Sequence, residues 1–314
     1  MEAKIISVVG GDKRNIELAR MLCGCGHTAK IFGFINEREL PMQCKTLYEA
    51  VCDADCIIGP IPCSHNGDAL NAPFHNAPIY VEDLFRLIAP HQKFLAGVIK
   101  PELLELADKY NIHAIDILKR EELLIKNSIP TAEGAIKIAI EETDITLHGN
   151  RMMVIGYGRI GKVLSGMLRG IGAKVMAIVN TDEAAAQAES CGHEAIHFNQ
   201  MEASLKYADV IFNTVPEILL DRTNMQHIRK NTLIIDLASP PYGVEVNDCR
   251  EFGLKVLYTN SLPGKIAPVT TASYIWSTVK NILETAPVHK DAIFKEAVHK
   301  NAVHSGEANN DSEG

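Results

Sequence analysis

Short runs of β-branched and other apolar residues alternate with longer stretches of helical periodicity along the 314-residue chain. This alternation is typical of βαβ units, in which helices connect the strands of a parallel sheet. In the first part of the chain it predicts strands at residues 4–9, 28–34, 56–60, 79–81, 93–96 and 113–116. Helices are predicted between them, as at residues 15–23 and 101–110.

A second alternating set follows a polar helix start at Thr131, whose helix should run to about Asp144 and bridge two domains. This set predicts strands at residues 151–155, 174–179, 210–214, 232–236 and 255–258, and helices at 160–171, 183–190 and 270–284. The expected organisation is a first domain at 1–126, a linker helix at 127–147, a second domain at 148–264 and a returning helix at 265–286. Within 287–314 we expect an amphipathic helix at 288–300 and a disordered tail at 301–314, because the tail has almost no apolar residues.

Composition and charge exclude several classes of protein. Hydrophobic residues make up 46% of the chain, which is enough for two cores. The net charge of -8 argues against binding to nucleic acid or a membrane surface, because nothing offsets repulsion from phosphates. No apolar stretch approaches the roughly 18 residues that span a bilayer. The first apolar run, Ile5 to Val9, is too short for a signal peptide, so we expect a cytoplasmic protein.

The eight cysteines contain no C-x-x-C pair and no zinc-ligand spacing. Cys23 with Cys25, or Cys52 with Cys56, could form redox pairs. The simpler interpretation is that the thiols are reduced and pack as small hydrophobic groups.

The strongest motif is a G-x-G-x-x-G turn between a predicted strand and a predicted helix. It consists of Gly156, Tyr157, Gly158, Arg159, Ile160 and Gly161. In such a motif the first glycine allows a tight turn, the second lets the backbone approach a pyrophosphate, and the third lets helix and strand pack closely. The helix N-terminus then offers free N–H groups to the phosphates. The alternative is a tight turn that binds no ligand.

The end of the next strand bears on the cofactor. An NAD site usually places Asp or Glu there, to accept a hydrogen bond from the ribose 2′-hydroxyl. This chain has the neutral Asn180 and Thr181. We therefore predict NADP, with Arg159 helping to pair the 2′-phosphate. The alternative is NAD, with Asn180 bonded to its ribose.

Two later strands also end in polar or proline-containing segments. Thr214, Val215 and Pro216 follow one strand, and Asp236, Ala238 and Ser239 end or follow the next. Because ligands bind beyond the carboxyl ends of parallel strands, these segments should lie beside the nicotinamide and its ribose. Asp236 and Ser239 are catalytic candidates, although both could equally cap neighbouring backbone.

Leu262, Pro263, Gly264 and Lys265 precede the last long helix. This segment resembles the turn that faces the nicotinamide in alanine-dehydrogenase-type enzymes. Lys265 could bind a substrate carboxylate there, and it is the third catalytic candidate. The alternative is a solvated surface lysine.

The first domain has its own glycine turn, Gly10-Gly11, which lacks the third glycine and is interpreted as a degenerate anion loop. Arg14, at the start of the next helix, could meet a carboxylate. The loop after the third strand carries Ser64 and His65, which make it a candidate substrate loop. His65 could act as a base, although an exposed histidine is more often only solvated.

Taken together, these segments resemble the A-subunit family of dipicolinate synthase over residues 4–286. The residues that carry the resemblance are Val8-Val9-Gly10-Gly11-Asp12 with Arg14, Asn127-Ser128-Ile129-Pro130-Thr131-Ala132-Glu133-Gly134, Thr143 to Gly149, the 156–161 glycine turn, Asn213 to Pro216, Leu233 to Pro240 and Leu262 to Pro268. The glycine turn is shared by many dehydrogenases. The other segments in combination are far more specific.

The resemblance implies an α/β fold of two Rossmann-like, doubly wound parallel-sheet domains with a cleft between them. It implies oxidation of dihydrodipicolinate, or of its hydroxylated tetrahydro precursor, to dipicolinate with NADP during sporulation, in the mother cell. It also implies a flavoprotein-like partner, the dipicolinate synthase B-subunit, and we expect a homo-oligomer. Some family members carry Arg and Ser after the second Rossmann strand, where this chain has Asn180-Thr181-Asp182. That departure leaves NAD open.

A small dicarboxylate substrate needs two cationic or N–H-rich anchors. The candidates are Arg14, Arg120 and Lys265, with Asn127 and Thr131 of the junction segment as further substrate-binding residues. Two other hypotheses stay open. One is a dehydrogenase of another small acid, such as a D-2-hydroxy acid or an amino acid, although Ser239-Pro240-Pro241 is unlike that class. The other is a nucleotide-binding subunit without catalysis.

Overall fold

The computed structural model describes residues 2–35, 40, 42–259 and 261–284 of the chain. Within those residues the first domain holds five parallel strands: β1 (Ile5–Val9), β2 (Thr28–Phe32), β3 (Cys56–Ile58), β4 (Lys93–Ala96) and β5 (His113–Asp116). Their order in the sheet is β2-β1-β3-β4-β5. The central strands are apolar and buried on both faces, as a parallel sheet between helices requires.

Helices cover both faces of this sheet. On one face lies α1 (Lys13–Gly24), which shares a core with Ile6 and Val8 of β1. On the other face lie α2 (Leu47–Val51), α3 (Val81–Leu87) and α4 (Pro101–Lys109). The loops after β1 and β3 leave from the same edge of the sheet, where the Asn15 amide donates to the Gly59 carbonyl over 3.2 Å.

The second domain holds six parallel strands within the described residues. They are β6 (Arg151–Ile155), β7 (Lys174–Val179), β8 (Glu194–His197), β9 (Val210–Asn213), β10 (Leu233–Asp236) and β11 (Lys255–Tyr258). In the sheet order β11-β10-β9-β6-β7-β8, the strands β7 and β8 are added on one side of β6 and the strands β9, β10 and β11 on the other. A change of side of this kind creates the crevice in which doubly wound folds bind ligands. The predicted fold class, two Rossmann-like parallel-sheet domains, is confirmed.

The helices of the second domain follow its strands in turn. They are α6 (Arg159–Gly170), α7 (Asp182–Ser190), α8 (Met201–Leu205), α9 (Arg222–Met225) and α10 (Val246–Phe252). Four of the strands end at one edge in register, with Ile155 opposite both Asn213 and Ile178, and Asp236 opposite Asn213. Residues that follow these strands therefore lie close together.

Three helices join the domains. The long α5 (Glu121–Glu142) leaves the first domain and packs on the second through Ala132, Ala135 and Ala139. The short α11 (Leu262–Ile266) leads into α12 (Pro268–Glu284), which returns to pack on α1. Trp276 of α12 meets His27 edge to face, with ring centroids 5.1 Å apart. The second domain is thus inserted into the first.

The structure corrects three predicted elements. Residues 79–81 are not a strand, because Tyr80 forms only an isolated bridge with Ala69 and Val81 begins α3. The strand β8 was not predicted. The linker helix begins at Glu121 rather than near Thr131, since Pro130 lies inside it instead of before it.

No helix among the described residues has the length and apolarity needed to cross a bilayer. The helix predicted at 288–300 and the tail predicted at 301–314 lie outside the described residues.

Candidate functional site

The glycine turn after β6 is built as the motif requires. Gly156 has a φ of +92°, and a Cβ there would lie 2.6 Å from Thr214 Oγ1 and 2.7 Å from Val215 Cγ2. A Cβ on Gly161 would lie 2.0 Å from the Gly156 carbonyl oxygen. Both positions therefore need glycine because protein atoms fill the space around them.

Gly158 differs from its two neighbours in the motif. A Cβ built there meets no heavy atom within 4 Å. Gly158 caps the N-terminus of α6 without a side-chain hydrogen bond, so the first N–H groups of α6 face open space. Free N–H groups at a helix N-terminus, together with the helix dipole, form a site for an anion such as a pyrophosphate.

A cavity of about 490 Å³ opens beside this turn. Its lining consists of Gly156, Tyr157, Gly158, Asn180, Phe198, Thr214, Val215, Pro216, Glu217 and Leu219. Phe198, Val215 and Leu219 give it apolar walls, while Asn180 and Glu217 supply polar groups. Apolar walls with a few polar groups suit the adenosine half of a dinucleotide. The residues of the cavity thus fit the cofactor that the glycine motif predicts.

The cavity brings together most of the predicted cofactor residues. Gly156, Tyr157, Gly158, Asn180, Thr214, Val215 and Pro216 all line it. Sequence reasoning missed Phe198, Glu217 and Leu219, which come from the segments that follow β8 and β9. Position after a strand could have pointed to Glu217, since it directly follows Pro216.

Tyr157 is almost fully buried at one wall of the cavity. Burial raises the pKa of its phenol to about 12, so the group stays protonated near neutral pH. Its ring meets the edge of His193, with centroids 6.1 Å apart. Tyr157 therefore contributes a neutral aromatic wall to the cavity.

Three predicted cofactor residues have other tasks. The Arg159 guanidinium pairs with Glu121 of α5, Nη1 to Oε2, at 2.6 Å. It is therefore directed at the domain junction, and it is not among the residues that line the cavity with Asn180, where it was predicted to help pair a 2′-phosphate. The Thr181 hydroxyl accepts from Ala184 N and caps α7. Ile160 packs against the apolar core.

The predicted catalytic role of Asp236 conflicts with its surroundings. Its carboxylate is fully buried and accepts three hydrogen bonds: from Asn213 Nδ2 at 2.9 Å, Ala238 N at 3.0 Å and Gly243 N at 2.8 Å. Asp236 thus anchors the loop after β10 to β9. Ala238 is buried and donates to this carboxylate, while Ser239 is exposed outside the cavity lining.

Lys265 lies in a different cavity, of about 400 Å³, between α5, β11 and α11. This second cavity shares no lining residue with the first. Lys265 is exposed there, near Glu141 and Glu142, and Leu262 forms part of its apolar wall. Lys265 thus lies apart from the cavity beside the glycine turn. The neighbouring Gly264 instead packs against Arg14, as a Cβ there would lie 2.7 Å from Arg14 Nε.

The two predicted arginine anchors already face carboxylates. Arg14 is buried, and its Nε and Nη2 bond Asp12 at 2.9 and 2.8 Å. Nη2 also donates to the Ile61 carbonyl. Arg120 is half-exposed and pairs with Glu122 at 2.9 Å. In the degenerate glycine turn the Asp12 carboxylate caps the N-terminus of α1 and accepts from Arg14 N. The place that an anionic ligand would take is therefore filled by a side chain of the protein.

The remaining substrate candidates are spread over two elements. Ser64 accepts from Gly67 N at 2.9 Å and so shapes its own loop, whereas the His65 side chain is exposed. On α5 the Thr131 hydroxyl donates to the Asn127 carbonyl at 2.8 Å. Asn127 Oδ1 is buried with no hydrogen-bond partner among the described residues.

No group of side chains among the described residues is arranged to hold a metal ion. All eight cysteines are free. Burial raises the pKa of the Cys56 and Cys63 thiols to about 12, so both are unreactive. Cys56, Cys63 and Cys249 are buried and pack as small hydrophobic groups, whereas Cys23, Cys25, Cys52 and Cys191 are exposed.

Comparison with known proteins agrees with this arrangement. Residues 5–118 match the family described as the N-terminal domain of the dipicolinate synthase A-subunit, and residues 137–254 match shikimate / quinate 5-dehydrogenase. The dipicolinate synthase A-subunit of Bacillus subtilis (strain 168) is 28% identical over 291 residues, which are 88% of this chain and 95% of that protein.

Two solved structures share both domains. The dipicolinate synthase A-subunit from Bacillus halodurans has a TM-score of 0.84 at 28% identity, covering 90% of this chain and 98% of that one. Its counterpart from Bacillus subtilis has a TM-score of 0.81 at 27% identity, covering 90% and 96%. The second domain is dehydrogenase-like, and the chain as a whole is a relative of the dipicolinate synthase A-subunit along both of its domains.

Proposed function

We propose that this protein is a nicotinamide-dependent oxidoreductase that oxidises dihydrodipicolinate, or its hydroxylated tetrahydro precursor, to dipicolinate. The observation that carries the proposal is the open space at Gly158, a cradle for a pyrophosphate in a chain that matches a dipicolinate synthase A-subunit over 88% of its length. The dehydrogenase-like second domain supports the same reaction class.

The chain's own residues bind and orient the cofactor. The free N–H groups of the first turn of α6 hold the pyrophosphate, and Asn180 faces a ribose. Thr214 keeps the wall of the cavity in place, because its hydroxyl donates to the Ile155 carbonyl at 2.9 Å. A bound nicotinamide would supply the acceptor for the hydride. Formation of the aromatic product drives the reaction, so a strong base is unnecessary, and the protein mainly supplies orientation.

The cofactor predicted from the sequence is NADP, with NAD as the alternative. The absence of an acid directly after β7 supports NADP, since an acid there would repel a 2′-phosphate. Arg159, the cation on which that prediction also depended, is paired with Glu121 at the protein surface.

A partner protein follows from the same family. The relatives are named as one subunit of a synthase, so we propose that this chain works with a second, flavoprotein-like B-subunit in the cytoplasm of a sporulating cell. Self-association into a homo-oligomer is part of the same proposal.

One observation favours a second candidate, a nucleotide-binding protein without its own turnover. Asp236, Arg14 and Arg120 all bond neighbouring groups, so no predicted catalytic or anchoring charge faces the cavity. In this case the B-subunit would supply the chemistry and this chain would supply the nucleotide.

The test is an assay of the purified chain, with and without the B-subunit, on dihydrodipicolinate with NAD⁺ or NADP⁺. We expect reduced nicotinamide and dipicolinate to appear in equal amounts. Gly158→Ala should abolish most of this activity, while Gly166→Ala, on the exposed side of α6, should retain it. Turnover by the purified chain alone would contradict the second candidate. No turnover under any condition would refute the oxidoreductase proposal.

A further inference from the structure

The adenosine end of the cavity has an unusual balance of charge for an NADP site. Asn180 lies at the end of β7, where a ribose 2′ substituent is expected. Its neighbour Thr181 is occupied in capping α7. The neutral Asn180 amide is therefore the polar group available to the ribose, and an amide can both donate to and accept from a hydroxyl.

Acidic residues share the cavity with Asn180 and follow it in the sequence. Glu217 lines the same cavity as Asn180, and it is exposed. Asp182 and Glu183 form the acidic first turn of α7, immediately after Thr181. The His197 Nε2 atom lies 3.6 Å from Asp182 Oδ1.

Cations are missing where a 2′-phosphate would need them. Among the cavity-lining residues that the structure describes, none is Lys or Arg. Arg159 pairs with Glu121 at 2.6 Å, and the Lys162 ammonium lies over the Tyr157 ring at 5.9 Å. A 2′-phosphate adds about two negative charges, and proteins usually meet such a group with arginine. Here it would meet Glu217 instead.

Building on the oxidoreductase function above, we propose that this cavity selects NAD over NADP, with Glu217 as the residue that excludes the 2′-phosphate. Asn180 bonds the ribose hydroxyls of NAD, and Glu217 repels the phosphate of NADP across the cavity. The choice of cofactor thus departs from the NADP that the family resemblance implies.

Binding of NAD⁺ and NADP⁺ to the intact chain, measured by calorimetry, tests this. We expect NAD⁺ to bind at least tenfold more tightly than NADP⁺. Glu217→Gln should narrow that ratio at least threefold, by strengthening NADP⁺ binding while NAD⁺ binding stays within twofold. The matched control is Glu189→Gln, which removes the same charge from an exposed position on α7 outside the cavity. It should leave the ratio unchanged.

The failures of the two proposals are distinguishable. If neither nucleotide binds, both the oxidoreductase function and this inference fall. If NADP⁺ binds as tightly as NAD⁺, or if Glu217→Gln leaves the ratio unchanged, this inference falls while the proposed function stands. A second variant, Asn180→Arg, should bring a cation into the cavity and reverse the preference. If Asn180→Arg still prefers NAD⁺, the ribose does not lie beside Asn180 and this inference is wrong.

Discussion

Alanine in place of Gly158 separates ligand binding from folding. A Cβ at this position has no protein atom within 4 Å, and the φ of −84° suits any residue. Alanine is a poorer N-cap than glycine by about 0.5–1 kcal/mol. It also restricts the unfolded chain, which offsets the loss by about 0.4–1 kcal/mol. The melting temperature should therefore shift by no more than about 4 °C.

Nucleotide affinity should respond far more strongly. The methyl group would project into the space that the pyrophosphate needs, and would push it away from the N–H groups of α6. Loss of one hydrogen bond to a charged group costs about 1.5–3 kcal/mol. That range corresponds to a roughly 10- to 150-fold rise in Kd.

Calorimetry with the better-binding nucleotide measures the effect, and differential scanning fluorimetry measures the stability. Gly166→Ala is the matched control, since its Cβ also meets nothing within 4 Å and it lies in the same helix away from the turn. It should leave Kd unchanged. An unchanged Kd in Gly158→Ala would show that this turn does not hold the pyrophosphate.

Four further outcomes follow from the structure. Asn180→Asp should weaken NADP⁺ binding at least tenfold by charge repulsion and retain NAD⁺ binding, as measured by calorimetry; equal loss of both would contradict its place beside the ribose. Lys265→Met should leave the Michaelis constant for the dicarboxylate within twofold, because Lys265 lies in the other cavity; a tenfold rise would restore it as a substrate anchor. Asp236→Asn should lower the free energy of unfolding by about 2–4 kcal/mol and the melting temperature by at least about 5 °C, because three hydrogen bonds to the carboxylate are weakened. The exposed Asp83→Asn should change neither value. An Asp236→Asn variant that is stable but inactive would restore the catalytic role of Asp236. Burial lowers the pKa of His193 below its ordinary 6.5, so at low pH the unfolded chain binds a proton that the folded chain does not. The free energy of unfolding should therefore fall as the pH drops below about 6.5. The melting temperature of His193→Gln should depend less on pH, and an unchanged dependence would contradict the role of His193 in this pH effect.

The sequence could predict what local chemistry determines. Buried parallel strands are continuous apolar runs, so β6 and β10 were recognisable without any partner. Edge strands are less apolar, and β8 was missed because Ile196 is its only strongly apolar residue. The strand predicted at residues 79–81 was wrong for the opposite reason, because its apolar residues are buried by packing in and around α3 rather than by pairing in a sheet.

The same division applies to the site. The glycine turn could be identified from the spacing of its residues, because close protein atoms require glycine at Gly156 and Gly161 and Gly158 leaves open space before α6. The roles of charged residues depended on partners distant in sequence. Arg159 is neutralised by Glu121, 38 residues earlier, and Asp236 is held by Asn213, 23 residues earlier. The first pairing forms only when α5 meets the second domain, and the second only when β9 and β10 lie side by side, so a pattern of residue types could not reveal them.

The insertion of the second domain between β5 and α12 limits how the two halves can move. The chain crosses between them twice, once through α5 and once through α11 and α12. Two covalent tethers leave rotation about the line joining them as the easy motion, while twisting or sliding would strain one tether. The two domains should therefore open and close around a bound molecule by rotation about a single hinge axis that passes through both connections. A single cut in either tether would release that restriction without separating the halves.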